Sequence, residues 1–164
     1  MLAPTADVVL SNAHVYREIA EDAQQRSQAS LEAHRSPKDD GSPGYVLTRD
    51  PNQASFKNSM IAIVFAGMTM EARLWLFGCA RVGVAQYKRL DKKPLEERLG
   101  PLGIADDILF EEVKAFREAR AALVHEKALP ISQDRSPIRI AQEEAAKAVV
   151  VMTRVLAAIQ RSVK

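Results

Sequence analysis

A single cysteine, Cys79, stands in a chain of 164 residues, so no intrachain disulfide and no cysteine-rich zinc site can form. That scarcity points to a reducing cytosolic compartment, and the expected localisation is cytoplasmic. Aromatic residues are also sparse, at 5%, while alanine occurs 25 times. A sheet would want more Val, Thr, Tyr and Phe, so the composition favours closely packed helices and an all-α domain. The N-terminus has no basic stretch ahead of an apolar one and does not read as a signal peptide. The longest run without a charge, Asn58 to Met70, is 13 residues. A bilayer span requires roughly 20, so no membrane segment is expected.

Several catalytic motifs are missing as well. Histidine occurs only at 14, 34 and 125, with no H-E-x-x-H and no E-x-x-H pair, so a zinc hydrolase or a bundle di-iron centre lacks its ligands. Gly41-Ser42-Pro43-Gly44 and Gly100-Pro101-Leu102-Gly103 are turn sequences without the G-K-[ST] of a phosphate-binding loop or the preceding strand of a dinucleotide fold. No G-x-S-x-G elbow is present. Neither a metal nor a cofactor is expected.

What is present is ordinary globular material: 47% hydrophobic, 27% charged, net charge +2. The length suits one domain with a real core, residues 1–164. Charge alternates along the chain. Residues 73–98 carry 7 basic and 3 acidic groups and residues 127–164 again 7 and 3, whereas residues 1–50 carry 5 and 8 and residues 99–126 carry 3 and 6. Such a pattern permits an anionic partner without requiring one.

The first helix is expected from about Thr5 or Asp7, with Val8, Val9, Tyr16, Ile19 and Ala20 as its stripe, fading by His34 to Pro37. Pro, Gly, Asp and Ser then crowd the stretch 35–54, which reads as a long surface loop. Ser55 is the expected cap of a second helix, apolar nearly all round and ending between Gly78 and Gly83. A connector over 84–103 holds a basic run and a short turn of helix at Pro94 to Leu99. The third long helix runs from about Ala105 and stops before Pro130. The last, from Ile140 to about Val163, repeats apolar positions at Ala145, Val149, Met152, Leu156 and Ile159. Four long helices and a short connector helix predict a four-helix-bundle-like domain.

The third helix carries the segment with chemistry in it. Arg120 projects between Phe116 and Val124, on the stripe of Leu109, Val113 and Leu123, so its charge is expected to be partly buried and to need a carboxylate. Glu71 is the only acid between Asn58 and Asp91 and projects beside Gly67 and Gly78, small residues that allow close helix approach. Glu71 is therefore expected to pair with Arg120 or to lie near His125. At about 100° per residue, His125 points about 140° away from Arg120 on an unbroken helix. Either the helix loosens at its end, or the two groups line a cleft completed by a second subunit.

Arg120 followed by four residues and His125, late in a helix of an all-helical domain, resembles the R-x4-6-H motif of the HEPN superfamily. The apolar second helix with its acidic residue and the closing helix EEAAKAVVVMTRVLAAI are similar to that superfamily's elements, over roughly residues 55–164. The resemblance implies a homodimer with facing motifs and a metal-independent endoribonuclease of the toxin or phage-defence kind, with an antitoxin protein as a further implied partner. In it His125 would move protons at the 2'-hydroxyl or the leaving oxygen, as an imidazole titrating near neutrality is able to do. Arg120 would stabilise developing phosphate charge. One departure is that Ala121 stands where catalytic members carry a polar residue, which leaves open a dimeric module that binds RNA, a nucleotide or a protein without cutting.

Two further readings stay open. Arg81, Lys88, Arg89, Lys92 and Lys93 around Tyr87 are able to grip an RNA backbone and stack a base, or to form a solvated connector. Met60, Met68, Met70, Trp75 and Phe77 read as core or dimer-interface packing, since a monomeric bundle would struggle to cover a helix apolar on every side.

Overall fold

The computed structural model describes residues 11–48, 50–124 and 141–163. Its helices are α1 (Ala13–Ala33), α2 (Ala54–Val82), α3 (Val84–Leu90), α4 (Asp107–Val124) and α5 (Ala141–Ser162), with 3-10 turns at Glu96–Arg98 and Gly100–Leu102. The all-helical class read from composition is what these residues adopt, with one small hairpin added. α1 starts at Ala13, after Asn12, and not near Thr5 or Asp7 as expected. The stop of the third helix expected before Pro130 lies outside the described residues.

α2 is the axis of the domain. α1, α3, α4 and α5 all pack on it, and α5 also meets α1 and α4. A single buried cluster joins Ala20 and Ala23 of α1, Ile63, Met70 and Leu74 of α2, Tyr87 of α3, Leu109 and Val113 of α4, and Met152 and Val155 of α5. By length and composition α2 is apolar enough to cross a membrane, which the 13-residue uncharged run did not suggest. In the bundle its buried positions include Ala62, Ala66, Met70, Leu74 and Phe77, while Phe56 and Ile61 remain about two-fifths exposed, at 42% and 41%.

Further local expectations needed correction. The connector, expected to hold one short turn at Pro94 to Leu99, also forms the helix α3 over Val84–Leu90. The stretch expected as a loop contains an antiparallel hairpin, β1 (Arg35–Pro37) with β2 (Tyr45–Leu47), in the register Arg35 to Leu47 and Pro37 to Tyr45. Tyr45, Val46 and Leu47 are the strand-forming residues in an otherwise breaker-rich stretch, and Arg35 lies 4.4 Å above the Tyr45 ring. Ser55 does not cap α2. The preceding Asp50 collects the Ser55 N–H at 3.3 Å and the Asn52 N–H at 2.9 Å, and Ser55 turns inward to a buried hydroxyl cluster with Ser27 and Ser59. In α5 the inner face is centred on Ala145, Ala148, Met152 and Val155, and Val149, Leu156 and Ile159 flank it half-buried. Alanines there let α5 approach α2 closely, which a stripe chosen by side-chain size overlooks.

Candidate functional site

Gly103, with φ +82°, turns the chain out of the connector, and Asp106 accepts the Leu109 N–H at 2.9 Å to start α4. Leu109, Val113 and Phe116 then fill the core, so the next position on that face, Arg120, is directed at α2. It lies across Gly67. A Cβ at Gly67 would stand 2.8 Å from Arg120 Nη1 and 3.0 Å from its Cζ. Nη1 donates to Glu71 Oε1 at 2.8 Å, one turn further along α2. The expected ion pair between Arg120 and Glu71 is therefore present. It is partly open: the arginine side chain is 30% exposed and the glutamate 47%. Among the described residues Glu71 is the one carboxylate that Arg120 meets, and no hydrogen bond engages its Nε or Nη2. A guanidinium held at one corner and still partly exposed is suited to an anion arriving from solvent.

His125 lies outside the described residues. Ala121, directly after the arginine, is exposed.

The basic run divides in two. Arg81, Lys88, Arg89, Lys92 and Lys93 are all exposed and make no ion pair among the described residues, although Arg81 Nη1 donates to the Ser162 carbonyl at 3.3 Å. Tyr87 is fully buried, so its ring is not offered to a base. It sits against Gly78 and edge-on to Trp75, with centroids 5.5 Å apart. Burial pushes the phenol pKa up. Arg98 stands close enough to offset part of that rise without meeting hydrogen-bond geometry, and the hydroxyl has no partner among the described residues.

Sequence reasoning missed the ion pair between Arg117 and Glu96. Arg117 Nε reaches both Glu96 oxygens at 3.1 Å and its Nη2 lies 3.0 Å from Oε1, while the glutamate side chain is 4% exposed. This hydrogen-bonded carboxylate raises the Arg117 pKa. The only signal in the sequence is the spacing of Leu95 and Leu99, which turns the intervening segment inward. Which cation would meet Glu96 depends on where α4 packs. Met70 and Phe77 are core, as expected, and Met60, Met68 and Trp75 are half-buried on α2.

Cavities lie elsewhere. One of about 630 Å³ runs between α4 and α5 along Ala115, Phe116, Ala146 and Val150. Another of about 640 Å³ lies between Arg81, Arg161, Asp106 and Asp107. Neither is lined by Arg120 or Glu71. Among the described residues no cluster of three or more His, Cys, Asp or Glu is placed to hold a metal ion.

Compared with protein-family models, with curated proteins and with solved structures, the chain matches none. The chain is thus an all-α protein with a half-open Arg–Glu pair between α2 and α4.

Proposed function

We propose that this chain is an HEPN-like, metal-independent endoribonuclease that works as a homodimer, in the manner of a toxin or phage-defence component. The observation that carries the reading is the Arg120–Glu71 pair across Gly67: it fixes an arginine late in α4 with part of its guanidinium open to solvent. In this reading Arg120 stabilises charge on the phosphate under attack, His125 moves the proton, and Glu71 positions the arginine. The exposed Phe56 and Ile61 on α2 support a second copy as partner, since burying them would remove apolar surface from water. An antitoxin protein and a cytoplasmic setting belong to the same reading.

A second reading is a dimeric module that binds RNA, a nucleotide or a protein without cutting. Two observations favour it: Ala121 supplies no polar group beside Arg120, and Glu71 already neutralises the arginine.

Incubation with mixed RNA in EDTA, followed by analysis of fragment ends, separates them. The nuclease gives 2',3'-cyclic phosphate ends, and His125→Ala and Arg120→Ala each abolish cleavage. Folded dimeric protein that leaves a broad panel of RNAs intact supports the binding module. Light scattering that gives about 18 kDa at micromolar concentration, the mass of one chain, would exclude the shared cleft.

A further inference from the structure

The segment between α2 and α4 leaves four of its cations without an ion pair among the described residues. Asp91 is engaged by Arg98, and Glu96 is buried under Arg117. Glu97 adds to the negative field that Arg117 experiences. The nearby acids are thus engaged by arginines other than the exposed ones, and Lys88, Arg89, Lys92 and Lys93 face solvent with no ion pair among the described residues. The backbone beneath them is firmly anchored. Tyr87, Leu95, Leu99 and Leu102 are buried, and the Tyr87 ring fills the space over Gly78. Four positive groups within six residues, held on an anchored backbone and broken only by Asp91, which Arg98 engages, form a predominantly positive patch.

Its position relates it to Arg120. Gly67, under Arg120, and Gly78, under Tyr87, are 11 residues apart on α2. At about 100° and 1.5 Å per residue they share one face of the helix, about 16 Å apart along its axis. α3 and the arginine-bearing end of α4 therefore rest on the same side of α2, a few nucleotides' reach from one another.

We propose that Lys88, Arg89, Lys92 and Lys93 form a docking track for the phosphate backbone of RNA, leading to the Arg120 site. This rests on the reading above that RNA is what that site handles. A membrane surface is a poorer fit, because Tyr87 and Leu90 turn into the protein and leave Val84 as the one large apolar side chain that α3 exposes, too little for the apolar face that interfacial helices insert. Backbone contacts of this kind confer affinity and salt sensitivity with little sequence preference.

The test uses the full chain carrying His125→Ala, so that a fluorescein-labelled 20-nucleotide single-stranded RNA stays intact, with binding read by anisotropy between low and moderate salt. Combining Lys88→Gln, Arg89→Gln, Lys92→Gln and Lys93→Gln is expected to weaken binding about tenfold or more and to lower the slope of log K against log salt by about 3, at roughly 0.7 per lost phosphate contact. Arg17→Gln with Arg26→Gln on α1, where both arginines are already paired, should leave affinity and slope unchanged. Circular dichroism confirms that each variant is folded. Equal affinity and slope in the fourfold variant overturn the track, as does binding of anionic vesicles through these residues with no RNA affinity. Cleavage by the wild-type chain is scored separately: RNA binding lost in the fourfold variant, without cleavage by wild type, keeps the track and removes the nuclease. Cleavage with unaltered affinity does the reverse.

Discussion

The ring of Tyr87 occupies the space that a side chain at Gly78 would need: a Cβ there would meet Cδ2 at 2.0 Å and Cε2 at 2.1 Å. Tyr87 is fully buried and also packs on Trp75, so the ring has no room to withdraw. Gly78→Ala is therefore expected to destabilise the protein by about 1–3 kcal/mol, the usual cost of overpacking, despite alanine's better helix propensity. Chemical denaturation measures this, and an unchanged midpoint would show that the ring moves freely.

The Tyr87 hydroxyl is buried without a partner among the described residues. Tyr87→Phe removes that group and leaves the ring, so stability should stay level or rise by up to about 1 kcal/mol. The phenol pKa is raised by burial. A raised folded-state value means that the stability linked to it is complete below the ordinary tyrosine pKa and is lost as pH climbs through the folded value. Wild type should thus lose more stability than Tyr87→Phe on going to alkaline pH. Parallel curves for the two proteins would contradict this.

Gly67 faces a different neighbour. A Cβ there meets the guanidinium of Arg120, the movable end of a long side chain, and the α-helix gains from replacing glycine. Gly67→Ala should leave the melting temperature within a few degrees of wild type while displacing Arg120 from Glu71. Under the proposed nuclease reading, cleavage then falls by about tenfold to a hundredfold in kcat. Full activity in a folded Gly67→Ala protein would detach the arginine's position from the reaction.

Glu71→Gln keeps the shape and an acceptor oxygen but removes the charge opposite Arg120. Because the pair is half open to solvent, the stability change should stay below about 1 kcal/mol. A loss of kcat with KM held within about twofold identifies Glu71 as a positioning residue, and a raised KM with kcat unchanged argues for a role in binding alone.

Arg117→Met leaves the buried Glu96 carboxylate without its hydrogen-bonding cation. The expected cost is about 1–3 kcal/mol. Adding Glu96→Gln to Arg117→Met should recover part of it, since the stranded charge is then gone, and strict additivity of the two single changes would show that the groups do not interact.

The helical class was legible because alanine content and the spacing of apolar residues along α2, α4 and α5 report a property of each segment alone. Arg120 and Glu71 were legible for a related reason: each lies on an apolar face where a lone charge requires an opposite one, and few candidates exist. The hairpin was hidden because three strand-forming residues are outweighed by the breakers around them. The cap position falls at Gln53 and not Ser55, Asp50 takes the Ser55 N–H, and Ser55 lies inside the helix against buried hydroxyls.

Alone, then, the sequence determined the segments that become helices, the glycines that let them approach, and the charge that α4 presents to α2. Only the packed structure decided that Tyr87 is an anchor rather than a stacking surface, that Arg117 and not another cation meets Glu96, and that the connector's lysines meet no carboxylate among the described residues. Those outcomes depend on which distant residues share a volume from which water is excluded, and side-chain spacing within one segment carries no record of that.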